Sequence, residues 1–386
     1  MNYKHAFVLV VAGACAMASV ARATEIEDIS AGDLVFAGDS VELSMKKPGM
    51  HSNVKVDLGD GELRDFVIDT GAQVNVIGSA IAEKLGFEVV GETEVGAPGG
   101  PQVQADIVKI PLVVAGDLRI ENGEFVTVDF AAISASGMQG ILGMGLFKEY
   151  LLTLDAGVER AIVSRSELAA GQPGVVSLDD SDGHLAIEMT IGDVVVPAHL
   201  DTGATVEFTL PLEMKDELPL STGGQHTAQA RVVGGPRNVS MARLEDSIRF
   251  AGLTYENPRV GFIDPSPPVG LIGNHVLDQV VLSIDQKNKL VGMQKSEAGT
   301  KKVSSRRRLG ISFRGMPGGS VLSVGGVESG SIAEKAGFLA GDVMLTLNGK
   351  PTEEYDMAAL GALFGGSESL RFEVDRDGIS RKIEIP

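Results

Sequence analysis

The feature that most constrains this chain is a repetition inside it. Phe66-Val67-Ile68-Asp69-Thr70-Gly71-Ala72 recurs as Ala198-His199-Leu200-Asp201-Thr202-Gly203-Ala204, 132 residues later. Gly140-Ile141-Leu142-Gly143 recurs as Gly270-Leu271-Ile272-Gly273, and Leu152-Thr153-Leu154-Asp155 as Leu282-Ser283-Ile284-Asp285, both 130 residues on. Gly99-Gly100-Pro101 answers to Gly234-Gly235-Pro236 at 135. Landmarks in one order at nearly one spacing mean a tandem duplication, so both copies must adopt the same fold.

Each copy reads as short strands joined by glycine-rich turns. Val54 to Leu58 alternates, meets Gly59-Asp60-Gly61 and resumes as Phe66-Val67-Ile68, a hairpin pattern. Leu185 to Ile191, Gly192-Asp193 and Val194 to Leu200 repeat it. One helix is predicted over Ser79 to Leu85, with Ser79 at the N-cap, Ile81 and Leu85 on one face, and Gly86 as the stop. Otherwise the repeat is all-β.

Asp-Thr-Gly at the end of a buried apolar strand is a chemical device. The strand fixes the carboxylate, the glycine permits a tight turn, and the threonine hydroxyl can bond across to an opposing turn. Two such carboxylates face to face cannot both ionise easily, so one holds a proton while the other activates a shared water. That suits hydrolysis of an amide by general acid–base catalysis with no covalent intermediate. One Asp-Thr-Gly is ordinary turn chemistry. Two copies, each after an apolar strand and each followed by an apolar-Gly segment, are not.

These motifs resemble the aspartic protease family over about Val41 to Gln294. The resemblance implies a mainly β, two-lobed acid-protease fold formed by tandem duplication. In that fold the segments Ile141-Leu142-Gly143 and Leu271-Ile272-Gly273 thread beside the catalytic turns. It makes Asp69 and Asp201 the catalytic pair, supported by Thr70, Gly71, Thr202 and Gly203. It places a substrate-covering flap at Gly99 and Gly100, with Gly234 and Gly235 as the counterpart. Asp-Thr-Gly-Ala is the form of the retropepsin branch, whose members build one site from two identical subunits; here both halves lie in one chain, as in pepsin. The segment Glu92 to Asp106 contains no Tyr of the pepsin-flap kind, and the family's disulfides are absent, which favours a retropepsin-like duplication. Ala72 and Ala204 stand where a hydroxyl would stabilise the ionised pair, so an optimum less acidic than pepsin's is expected.

Other catalytic readings find no support. The six histidines (His5, His51, His184, His199, His226 and His275) form no H-E-x-x-H, and there is no G-x-S-x-G. His199, two residues before Asp201, reads as an ordinary strand histidine. Asp179-Asp180-Ser181-Asp182-Gly183 lacks the ligand spacing of a calcium loop and reads as an inter-lobe connection. No metal and no cofactor are expected.

Lys295 to Arg308, with Lys301, Lys302, Arg306, Arg307 and Arg308 among Ser, Gly and Thr, reads as a basic linker. Beyond it come Leu309-Gly310-Ile311-Ser312-Phe313, Ser329 to Phe338, Gly341-Asp342-Val343-Met344-Leu345-Thr346-Leu347-Asn348-Gly349, a helical Met357 to Leu363, and Val374 to Gly378. This unit is similar to a PDZ domain of the bacterial periplasmic type, a small α+β fold. The resemblance implies that the Leu309–Phe313 loop receives the terminal carboxylate of a peptide ligand. The groove would be lined by Ile311 and Phe313 on one side and by Leu360 and Leu363 on the other.

Charge and cysteine usage bound the rest. A net charge of -19 argues against a nucleic-acid partner. Residues 1–23 run from Lys4 through an apolar stretch to Ala21-Arg22-Ala23, the pattern of a cleaved signal peptide, whose removal takes the one cysteine, Cys15. Lipidation at Cys15 after Ala12-Gly13-Ala14 is the alternative and the one route to a membrane.

The expected organisation is a signal peptide (1–23), an N-terminal lobe (24–165), a C-terminal lobe (166–294), a linker (295–308) and a PDZ domain (309–386). The expected function is an exported aspartic endopeptidase, in the bacterial periplasm or secreted, that acts on proteins or peptides. C-terminal peptides would be the PDZ ligands, and the chain would be a monomer, with a dimer as the alternative. The competing readings are a non-catalytic peptide-binding envelope protein on the same scaffold, and a protease autoinhibited by its PDZ domain.

Overall fold

The computed structural model describes residues 9–13, 19–20, 29–46, 51–96, 102–130, 138–181, 183–221, 226–232, 235–264, 269–296, 309–314, 322–327, 330–355, 359–360, 363–364 and 368–386. The protein is mainly β, as its glycine-punctuated alternation requires.

The first copy is a closed six-stranded barrel. Asn53–Asp57 pairs with Leu63–Asp69, which lies parallel to Gly140–Gly143; that strand pairs with Asn75–Gly78. Asn75–Gly78 runs parallel to Leu118–Val128, which forms a long hairpin with Val103–Ala115. Closure comes where Val114 meets Asp57. Barrel interiors must be apolar on alternate residues, and Val54, Val56, Phe66, Ile110, Ile120 and Phe125 meet that demand, all essentially without solvent exposure.

The second copy repeats this order with Ala186–Ile191, Val194–Asp201, Gly270–Gly273, Phe208–Leu210, Arg259–Asp264 and Gly235–Arg243. Its long hairpin is broken. Gly235–Arg243 gives way after three residues to Ser247–Phe250, which pairs back onto Ala186–Ile191. Left-handed backbone at Ala251 turns the tip of the Ser247–Phe250 and Leu253–Glu256 hairpin, and at Asn257 it marks the break before Arg259–Asp264.

Six strands join the lobes. In order they are Val175–Ser177, Leu290–Lys295, Val280–Asp285, Leu151–Asp155, Arg160–Ser164 and Ser40–Lys46. The duplicated segments face each other at its centre, with Thr153 opposite Ser283 and their hydroxyls 3.0 Å apart. A pseudo-twofold axis therefore passes between Thr153 and Ser283. One apolar core runs through both lobes, from Val54 and Phe66 to Phe262 and Ile272.

The helix Ser79–Leu85 forms, ends at Gly86 in left-handed conformation, and leans Ile81 and Leu85 on the core. Its cap differs from expectation. Gly78, still in extended conformation with its N–H on Gln139 O at 3.0 Å, is the N-cap, and Ser79 is already helical and makes no capping bond.

The C-terminal unit has its own core around Val324, Phe338, Leu347, Phe372 and Ile385. Ile311–Arg314, Ser323–Val327, Val343–Leu347, Leu370–Arg376 and Ile379–Ile385 form its sheet. Leu9–Gly13 lies along the outer edge of Ile311–Arg314 in antiparallel register, and alongside His226–Val232 in parallel. Of the predicted helix at Met357 to Leu363, Ala359–Leu360 and Leu363–Phe364 are helical; Met357, Ala358, Gly361 and Ala362 lie outside the described residues, as does the expected linker from Glu297 to Arg308.

Candidate active site

Each Asp-Thr-Gly ends a strand that is buried on both faces, so Asp69 and Asp201 are held at a fixed depth with no solvent exposure. Gly140–Gly143 runs parallel beside the first, with Gly143 opposite Asp69, and Gly270–Gly273 sets Gly273 opposite Asp201. These strands then cap the turns: Met144 N–H donates to Ala72 O at 2.7 Å, and Asn274 N–H to Ala204 O at 2.8 Å. A side chain on Gly143 would collide with Val74 O, and one on Gly273 with Val206 O, at 2.3 and 2.4 Å. The sequence repeats glycine at both positions because the threading strand needs that close approach.

The turns are locked to each other by four reciprocal hydrogen bonds. Thr70 Oγ1 donates to Leu200 O at 2.8 Å and accepts from Thr202 N–H at 3.0 Å. Thr202 Oγ1 donates to Ile68 O at 2.8 Å and accepts from Thr70 N–H at 3.0 Å. Each hydroxyl thus serves a main-chain carbonyl and a main-chain amide of the other copy, which no methyl could replace.

The carboxylates come together as a consequence. A Cβ on Gly71 would fall 2.7 Å from the Asp201 carboxyl carbon, so the first turn lies directly against the second aspartate. Gly71 N–H donates to Asp69 Oδ1 at 2.9 Å and Ala204 N–H to Asp201 Oδ1 at 2.8 Å. Burial, then the nearby charge of Asp69, push the Asp201 carboxyl well above the usual carboxylate range, against the pull of the Ala204 and Gly203 amides. Two carboxylates so close and so buried cannot both ionise easily.

The segments 54–146 and 187–276 match the family described as aspartyl protease, and 323–376 matches the PDZ domain family. The chain carries a duplicated aspartyl protease domain and a PDZ domain. The protease matches begin and end on the two barrels and contain both Asp-Thr-Gly turns. Among curated proteins no match to the chain was found.

Over the protease lobes, the strands Glu88–Gly96 and Val103–Ala115 form a hairpin, as do His226–Val232 and Gly235–Arg243. Gly99, Gly100 and Gly234 of the expected flaps lie outside the described residues; Gly235 opens the second strand of its hairpin in left-handed conformation.

In the PDZ domain Gly310 also takes left-handed backbone at the expected carboxylate loop. Leu309 and Leu360 are buried in the domain core, whereas Ile311 and Leu363 are half-buried against it. Ser312 and Phe313 lie on the strand Ile311–Arg314; their side chains are outside the described residues. Asp342, in the Gly-Asp-Val signature, is a structural group. It is fully buried and held by Arg376 through Nε at 2.6 Å and Nη2 at 2.8 Å, with Leu339 N–H at 3.0 Å. Burial opposes its ionisation, but the Arg376 and Leu339 bonds outweigh that and hold it below the usual carboxylate range.

His199 is buried on the Asp201 strand and stacks on His184, ring centroids 4.8 Å apart. One residue that sequence reasoning passed over touches the site: His51 Nε2 lies 2.9 Å from Gly203 O. No local signal marks it, since the two are 152 residues apart.

Proposed function

We propose that this protein is an aspartic endopeptidase in which Asp69 and Asp201 jointly activate a water for direct attack on a peptide carbonyl. The supporting observation is the reciprocal Thr70–Thr202 bonding, which clamps two buried Asp-Thr-Gly turns against each other. Burial and mutual repulsion leave the pair with one proton. The ionised carboxylate takes a proton from water as the new C–O bond forms, and the protonated one donates to the carbonyl oxygen. As the C–N bond breaks, a proton passes to the departing amine and the pair returns to its first state. Preformed amides at Gly71 and Ala204 hold the carboxylate oxygens in place through this exchange. Ala72 and Ala204 bring no hydroxyl to the pair, so its working range lies at less acidic pH than that of pepsin.

The PDZ domain recruits or positions protein substrates, which raises the concentration of chains near the dyad. The antiparallel Leu9–Phe313 pairing supports this, since it is the geometry by which an extended peptide adds to a PDZ edge. In this reading residues 1–23 are removed on export to the periplasm or exterior, and that edge is then open to other chains.

The reading is tested with the chain lacking residues 1–23 and an unstructured protein substrate, across about pH 3 to 8. Cleavage products should carry free carboxyl ends, and added hydroxylamine should trap no hydroxamate, because water attacks directly. Absence of cleavage throughout, or a trapped acyl-enzyme, would overturn it.

A further inference from the structure

The peptide group joining Gly203 to Ala204 is used at both ends. Its N–H, on Ala204, donates to Asp201 Oδ1 at 2.8 Å. Its C=O, on Gly203, lies 2.9 Å from His51 Nε2. A carbonyl only accepts, so Nε2 is the protonated nitrogen of His51. His51 is buried and stands two residues before Asn53–Asp57, a strand of the first lobe. The first lobe therefore reaches the second lobe's aspartate through one peptide group. A hydrogen bond at a carbonyl polarises the amide and strengthens donation from its N–H, more so away from water.

The duplication lets the two sides be compared. Asn53 pairs with Val67 and Ala186 with His199, so His184 is the counterpart of His51 and His199 that of Val67. In the second copy the two rings stack on each other. A perfectly twofold site would treat both carboxylates alike; His51 and the Val67/His199 difference break that equality at the turn bearing Asp201.

We propose that His51 is a positioning residue for the dyad: from the opposite lobe it fixes the second catalytic turn and, through the Gly203–Ala204 peptide, strengthens the hydrogen bond on Asp201 Oδ1. This rests on the reading of Asp69 and Asp201 as the catalytic pair.

The test compares His51→Leu, which removes the donor, with His51→Gln, whose amide nitrogen can reach the same carbonyl, both in the chain lacking residues 1–23. His51→Leu should lower kcat roughly tenfold with KM within about twofold, the size expected for one lost hydrogen bond to the machinery. His51→Gln should recover most of that loss. In protein labelled with 15N-alanine, the Ala204 amide proton should shift in His51→Leu and return toward its original position in His51→Gln. This second readout needs no turnover, so it still decides on the His51 link should the parent chain prove inactive and the protease reading fail. An unmoved Ala204 amide in His51→Leu overturns the proposal. So does an unchanged kcat, or equal losses in both variants that follow their melting temperatures.

Discussion

Thr70→Val replaces a hydroxyl by a methyl of nearly the same shape at a fully buried position. It removes the donor to Leu200 O and the acceptor for Thr202 N–H, and nothing else. Two main-chain groups are then left without partners in the interior, at about 1–3 kcal/mol each, so the substitution should destabilise the protein by roughly 2–6 kcal/mol. Thr202→Val strands Ile68 O and Thr70 N–H in the same way. The two hydroxyls bond to main chain and not to each other, but they hold the same pair of turns. Once one turn loosens, the second loss costs less, so the double variant should fall short of the sum by about 0.5 kcal/mol or more. The chain has no Trp, so urea unfolding is best followed by far-ultraviolet circular dichroism. Activity should fall further than stability does, because the same bonds align the carboxylates. Single variants within about 0.5 kcal/mol of the parent, as at an ordinary surface site, would refute the interlock.

Other substitutions address other parts of the account. Gly71→Ala puts a methyl 2.7 Å from the Asp201 carboxyl carbon; peptide hydrolysis should fall at least about 100-fold, and near-parent rates would show that the turns are not tightly apposed. Asp342→Asn breaks the buried pair with Arg376 and should destabilise the PDZ domain by about 3 kcal/mol, read as faster amide exchange over residues 322–376. Because Asp342 is held below its unfolded value, its stabilisation is present above about pH 4 and is lost as pH falls through the folded value. The parent PDZ domain should therefore loosen in acid and the Asn variant much less so; equal acid sensitivity would contradict this. Deleting Leu309 to Pro386 should lower kcat/KM on protein substrates if the domain recruits, whereas a rise would establish autoinhibition.

The duplication made the two barrels and the facing Asp-Thr-Gly turns legible, because a twofold arrangement writes each close contact into the chain twice. Gly143 and Gly273 are one such pair, each forced by a carbonyl that leaves no room for a Cβ. What breaks the symmetry was not legible. The His51–Gly203 contact joins distant segments, and although His51 has a counterpart in His184, that ring stacks on His199, which replaces Val67. The cap fell one residue before Ser79 because the strand's extended backbone runs on through Gly78, a boundary that local propensity does not contain. In the PDZ domain, apolar spacing could not separate a groove lining from a core: Leu309 and Leu360 pack inward, while Ile311 and Leu363 stay half-buried.

The central claim is that Asp69 and Asp201 act as one catalytic unit. The most direct measurement is kcat/KM on an unstructured protein for the parent chain, Asp69→Asn, Asp201→Asn and the double variant. Each single change should abolish at least about 1,000-fold of the activity, and the double should lose little more, as for residues acting as a unit. Parent-like cleavage by either single variant would contradict the account.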